Sequence, residues 1–81
     1  MTAKEAYDIV IKKRKGMYLL ECLDFESFFG FLFCDHKPED GDFFGGGHYD
    51  TVNKSDGTIS EFFPMNDLDA FESAKKVELN I

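Results

Sequence analysis

Four residues of the chain could bind a soft metal ion or form a nucleophile with its base: Cys22, Cys34, His36 and His48. A structural zinc site normally takes its ligands in paired C-x2-4-C or H-x3-5-H spacings, and neither spacing is present. A Cys–His pair would need a thiol of lowered pKa and a third group to orient the base, and the sequence indicates neither. We therefore expect no metal site, no cofactor and no catalytic residue, with both cysteines as buried, reduced thiols.

Four acids crowd one segment that is rich in polar residues, Pro and Gly: Asp35, Glu39, Asp40 and Asp42. Carboxylate clusters suit hard cations, but the spacing of a calcium-binding EF-hand is not matched. The default interpretation is a solvated acidic loop. If the loop folds over the end of the neighbouring hairpin, these acids could form one negative patch with Asp24, Glu26 and Asp50.

Three successive glycines, Gly45 to Gly47, invite comparison with a phosphate-binding loop. Such a loop joins a strand to a helix and carries Lys-Ser/Thr, whereas these glycines lead into His48 and a predicted strand. A bulge or a sharp strand entry is the expected role, with a flexible lip around a partner site as the alternative.

The first element that positions these residues is a helix. Thr2 and Glu5 have the spacing of a capping box, and apolar residues then recur every three or four positions, so we predict a helix over residues 3–15. The basic run at residues 12–15 complements the negative end of its dipole, and Gly16 stands where a left-handed residue ends a helix.

The middle of the chain predicts four antiparallel strands. Residues 17–35 form an aromatic-rich hairpin with a turn at 24–27, and both of its faces are largely apolar, which indicates a partly covered sheet or a subunit contact. Phe43 and Phe44 lie across the core in this interpretation. A third strand begins at Tyr49, Asn53 to Gly57 form a turn, and residues 58–63 form the fourth strand.

The C-terminal segment predicts a second helix. Pro64 ends the fourth strand, Asn66 serves as N-cap, and Leu68, Phe71, Ala74 and Val77 make the inner stripe. Alternation of Val77, Leu79 and Ile81 permits a short edge strand instead. The prediction is one α+β domain over residues 1–81, with an N-terminal helix, a four-stranded antiparallel sheet, a C-terminal helix and an optional final edge strand.

Composition and charge limit the classes of function that the chain can have. The chain is 43% hydrophobic, which argues against disorder, and its longest uncharged apolar run, residues 27–34, is too short for a membrane span. The start of the chain lacks the pattern of a signal peptide, so the cytoplasm is the expected location. Residues 17–81 carry fourteen acids against four basic groups, which disfavours nucleic acid and anionic lipid and favours a basic protein or cations.

The segment from Gly46 to Ile59, followed by Pro64 and by residues 68–71, resembles the C-terminal half of the YrhB-like immunity domains that accompany bacterial polymorphic toxins. Those domains are similar in element order as well. The chain departs from them in its triple glycine and its high Phe content. The resemblance implies a cytosolic bacterial protein that binds and blocks a partner, and it brings no catalytic residues with it.

These observations leave two main hypotheses for the function, which belong to different classes. A small enzyme or ligand-binding protein is a third. The first is a non-enzymatic, immunity-type binding protein that neutralises a basic partner such as a toxin. The second is a structural or regulatory module that forms a homodimer through its second apolar sheet face. The residues that we predict for partner contact are Asp35, Glu39, Asp40, Asp42, His48 and Tyr49.

Overall fold

The structure of the chain is a computed structural model that describes residues 1–34 and 48–79. These two segments contain α1 Ala3–Val10, β1 Tyr18–Asp24, β2 Phe28–Cys34, β3 Tyr49–Asn53, β4 Ile59–Phe62, α2 Leu68–Ser73 and β5 Lys75–Val77. All strand pairs are antiparallel, in the sheet order β4-β3-β2-β1-β5. The α+β class and the N-terminal helix are confirmed, and the sheet gains a fifth strand from the C-terminal segment.

The capping box at the start of α1 is confirmed. The backbone N–H of Glu5 donates to the Thr2 hydroxyl over 3.2 Å, and the N–H of Thr2 donates to the Glu5 carboxylate over 3.0 Å. These hydrogen bonds lower the pKa of Glu5, the one from the Thr2 backbone most. The helix is shorter than predicted, because α-helical geometry ends at Val10 and one 3-10 turn follows at Ile11–Lys13.

The β1–β2 hairpin carries an irregularity that decides which face its polar residue occupies. The register shifts between Leu19 and Glu21, so one residue of β1 has no counterpart on β2. Leu19 and Cys22 therefore pack on the same face, while the Glu21 carboxylate reaches the Tyr49 hydroxyl on the opposite face.

The β3–β4 turn forms as the sequence predicts. Gly57 has φ +75°, and its N–H donates to the Asn53 carbonyl over 2.9 Å. The N–H of Lys54 donates to the Ser27 carbonyl over 3.0 Å, which joins this turn to the β1–β2 turn. We call this side of the molecule the turn end of the sheet.

Two predictions for the C-terminal segment are wrong. Asp67 rather than Asn66 caps α2, because its carboxylate accepts from the N–H of Ala70 over 3.1 Å and residues 64–66 form a 3-10 turn. Leu68, expected in the inner stripe, is 51% exposed. Val77 lies in β5, where it pairs with Cys22 of β1, so the alternative of a final edge strand is the correct one.

The core has two parts, one on each face of the sheet. The part under α1 consists of Ala6, Val10, Cys22, Phe29, Phe31 and Val52. The part on the opposite face consists of Leu23, Phe25 and Tyr49, with α2 residues packed against it. Both faces of the hairpin are apolar because each carries one helix. Phe43 and Phe44 lie outside the described residues. Within residues 1–34 and 48–79, no helix is long and apolar enough to cross a membrane.

Candidate partner-binding surface

β2 ends at Cys34 and the next described residue is His48, which precedes β3; both lie at the side of the sheet opposite the turn end. We call this side the loop end of the sheet. The antiparallel register brings the start of β1, the end of β2, the start of β3 and the end of β4 together there. The predicted contact residues Asp35, Glu39, Asp40 and Asp42 lie outside the described residues, as do the three glycines.

His48 stands between two carboxylates at the loop end. Its Nε2 lies 3.6 Å from Oδ1 of Asp50 and 3.8 Å from Oε1 of Glu61. Asp50 and Glu61 are direct cross-strand partners on β3 and β4, which explains why their side chains converge. The His48 ring also lies 5.5 Å from the ring of Phe63, centroid to centroid. His48 thus sits at a half-exposed contact between charge and an aromatic surface.

Arg14 holds Asp50 from the other side. Its Nε and Nη2 each donate to one Asp50 oxygen over 2.9 Å, a bidentate pair in which the carboxylate is only 9% exposed. The hydrogen bond to Asp50 and its charge raise the pKa of Arg14. The sequence placed Arg14 in a basic run at the helix end, and it missed this pair because the two residues are far apart in the chain.

The Arg14–Asp50 pair also corrects the expected negative patch. Asp50 is buried and neutralised by Arg14, and Asp24 pairs with Lys54 across two neighbouring turns. Two of the acids expected on one open patch are therefore paired with cations of this chain, and they lie at opposite ends of the sheet.

The same geometry defines what the cluster could do with a metal ion. One ligand atom each from His48, Asp50 and Glu61 lies within 4.8 Å of the others, a spacing that a transition-metal ion could bridge. Arg14, however, already occupies both oxygens of Asp50, so a cation would have to share that carboxylate with a guanidinium. The arrangement is better matched to an internal ion pair flanked by His48 than to a metal centre.

Tyr49 lies behind this surface rather than on it. Its ring is 5% exposed, its hydroxyl donates to Glu21 over 2.8 Å, and its ring centroid lies 5.9 Å from that of Phe71. Burial, followed by the hydrogen bond to Glu21, raises the pKa of Tyr49 well above its usual range. The expected interface ring is thus a core residue, because it completes the apolar cluster under α2. A role for His48 in partner contact stays a prediction.

The cysteines are buried thiols rather than a disulfide, as the sequence predicts. Burial of Cys22, with smaller contributions from Asp24 and Glu21, raises the pKa of its thiol to about 11. A thiol in that state is protonated at neutral pH and is a poor nucleophile or metal ligand.

Sequence reasoning missed the exposed aromatic residues of the loop end. Phe63 is 46% exposed directly after β4, and Tyr18 is similarly exposed at the start of β1. The signal for Phe63 was present, because Phe62 faces the core and Pro64 ends the strand. Aromatic residues are enriched in protein-binding surfaces relative to the rest of a protein surface.

Comparisons of the chain with protein-family models, with curated proteins and with solved structures found no match.

Proposed function

We propose that this chain is a small acidic binding protein of immunity type, which neutralises a basic partner protein by binding to it and performs no catalysis. The observation that carries the proposal is the loop end of the sheet, where Phe63 and His48 are accessible beside the exposed Glu61. Tyr18 is exposed at the same end, on β1, and two strands separate it from β4. The resemblance to YrhB-like immunity domains supports the same class and implies a protein of the bacterial cytoplasm.

Net charge supports a basic partner. The chain carries a formal charge of −7 at pH 7, and three of its exposed surface acids lie at or near α2 and β5: Asp69, Glu72 and Glu78. Complementary charge accelerates association, and the same field disfavours nucleic acid and anionic membranes. A toxin that acts on nucleic acid presents the basic surface that this field would attract.

The chemistry of the described residues favours binding over catalysis. The Cys22 thiol is buried with a raised pKa, and the Tyr49 hydroxyl is committed to Glu21. Asp50 is committed to Arg14. Tyr49 and Asp50 would each have to lose a structural partner, and Cys22 would have to become exposed, before any of them could act on a substrate, whereas the exposed aromatic rings can contact a partner as they stand.

A homodimer is the second candidate function. The observation that favours it is the run of exposed apolar residues in the six positions after β4, where Met65 is 83% exposed and Leu68 and Phe63 are about half exposed. Exposed apolar patches mark interaction sites on small proteins. The second sheet face itself is partly covered by α2, so a dimer would use this run and the β4 edge rather than that face.

The test begins with capture of partners from the source cell at low and at high salt, followed by purification of the captured protein. Association of the two pure proteins is then measured for Phe63→Ala, with Leu68→Ala as the matched control for loss of an exposed apolar side chain. We expect Phe63→Ala to weaken binding by roughly tenfold or more, as hot-spot aromatic residues do.

The outcomes separate the two functions. A basic partner whose association rate falls as salt rises, with Leu68→Ala unaffected, supports the immunity-type protein. A chain that sediments as a dimer, and that becomes monomeric on Met65→Ala or Leu68→Ala, supports the second function. A pure, basic partner that binds Phe63→Ala as tightly as the original chain would remove the loop end from the interface.

A further inference from the structure

A groove of about 760 Å³ lies at the turn end of the sheet, between the β1–β2 turn and α2. It is open because α2 has only six residues and packs on the sheet through Ala70, Phe71 and Ala74. The volume exceeds that of one side chain, so the groove can admit a side chain together with part of the backbone that carries it.

The groove is negatively charged. Four acids and two lysines line it, and one of these lysines, Lys54, is paired with Asp24. Asp67 caps α2, whereas Glu26 and Asp69 are exposed and form no hydrogen bond or ion pair with any residue in the described segments. Within the described segments these two acids therefore have no ion-pair partner, and Lys75, which also lines the groove, offsets part of their charge.

The floor of the groove is aromatic. The rings of Phe25 and Phe28 are stacked, with centroids 4.5 Å apart and planes 20° from parallel, and both residues line the groove. Phe28 is only partly buried, so part of this residue is accessible, whereas Phe25 is buried. A planar cation can lie on such a ring while it donates hydrogen bonds to carboxylates.

We infer that this groove receives an arginine side chain of the protein partner. The inference rests on the proposed function, since it supposes a basic protein partner. A guanidinium matches both features, because it stacks on a ring and presents several donors in one plane to the rim acids. A phosphate or a lipid headgroup would meet unpaired carboxylates, and the charge of the groove therefore selects against it.

The direct test is a titration of the full chain, labelled with nitrogen-15, with N-acetyl-arginine methylamide at constant ionic strength. N-acetyl-citrulline methylamide is the control ligand, since it has the same shape without the charge. We expect saturable amide shifts confined to residues 25–28 and 67–75 with the arginine compound, and weaker shifts with the citrulline compound.

Two matched variants test the rim acids. Glu26→Gln with Asp69→Asn should weaken arginine binding by roughly fivefold, which corresponds to two partly exposed ion pairs. Glu72→Gln with Glu78→Gln removes the same charge from exposed positions outside the groove, and it should change the affinity by less than about twofold. All substituted positions are exposed, so an unchanged amide spectrum shows that the fold is intact.

Different experimental results would overturn the arginine site and the proposed binding function. Absence of saturable shifts in the groove, equal shifts with citrulline, or equal losses in both variants would overturn the arginine site. A purified basic partner that binds the Glu26→Gln, Asp69→Asn variant normally would also overturn it, while it leaves the binding function standing. Saturable arginine binding in the groove, lost selectively in the rim variant, supports the site whether or not the partner is a toxin.

Discussion

Removal of the Arg14 guanidinium should destabilise the fold more than the position of Arg14 at a helix end suggests. The perturbation is Arg14→Met, which keeps most of the aliphatic stem and deletes both donors to Asp50. Asp50 is 9% exposed, so it would remain buried without its counter-ion. His48 stands 3.6 Å away and can replace only part of that charge.

The expected magnitude follows from this geometry. Breaking a fully buried ion pair by removal of one partner costs about 3 to 5 kcal/mol. The Arg14 side chain is about one-third exposed, so water can reach the pair and screen it, and we reduce the expected loss to about 2 kcal/mol. For a domain of this size, that loss lowers the melting temperature by roughly 8 to 15 °C.

The assay is chemical unfolding of four proteins: the original chain, Arg14→Met, Asp50→Asn and the double variant. The double-mutant cycle should give a coupling energy of about 1 kcal/mol or more, because each single change strands the other partner. Arg14→Lys should recover only part of the stability, since an ammonium cannot form the two parallel hydrogen bonds of a guanidinium.

Lys4→Met is the matched control, because Lys4 forms an exposed ion pair with Asp8 on α1, four residues away. It should change the free energy of unfolding by no more than about 0.5 kcal/mol. If Arg14→Met and Lys4→Met had equal effects, or if the coupling energy between positions 14 and 50 were zero within error, the Arg14–Asp50 pair would not be a stabilising contact.

Three further changes test the backbone and the core. Gly57→Val should lower the free energy of unfolding by about 1 to 2 kcal/mol, because a β-branched residue resists a φ of +75°, whereas Gly57→Asn should cost less; equal melting temperatures for the two variants would contradict this. Gly30→Ala should cost about 1 to 3 kcal/mol, because the new Cβ would lie 2.9 Å from Cε2 of Phe25; an unchanged unfolding midpoint would show that the ring moves aside freely. The contribution of Cys22 to stability should be constant below pH 9 and fall between pH 9 and 11, because the Cys22 pKa rises from 9.0 to about 11 on folding and the unfolded thiol therefore ionises first; this part of the fall should be absent in Cys22→Ala.

The elements that the sequence predicted correctly depend on local signals. Thr2 and Glu5 satisfy each other three residues apart, and Gly57 supplies the one backbone conformation that its turn requires. The second helix was predicted less well because Asn66 and Asp67 are both good N-caps, and only the 3-10 turn that includes Asn66 decides between them. The length of α2 is set by β5, which pairs with β1 far away in the chain.

The residues of the candidate site are brought together by contacts between distant parts of the chain rather than by local signals. The Arg14–Asp50 pair links residues 36 positions apart, and no local pattern in the sequence predicts it. Glu61 could have been found, since the turn that brings Asn53 to Thr58 also sets Asp50 opposite Glu61 in the register that follows. The burial of Tyr49 could not have been predicted from the sequence, because it depends on α2 packing on the same face of the sheet.

The two proposed contacts lie at opposite ends of the same sheet, and this makes a quantitative prediction for the complex. The strands between Phe63 at the loop end and the groove at the turn end are four to seven residues long, so the sites are about 20 Å apart. One standard interface of roughly 800 Å² per partner can span that distance. If one partner occupies both, the losses in binding free energy caused by Phe63→Ala and by Glu26→Gln with Asp69→Asn should add, since the positions share no contact. The opposite result is a combined variant that binds the partner with the same affinity as the more impaired of the two separate variants. That result would mean that the partner contacts only one end of the sheet.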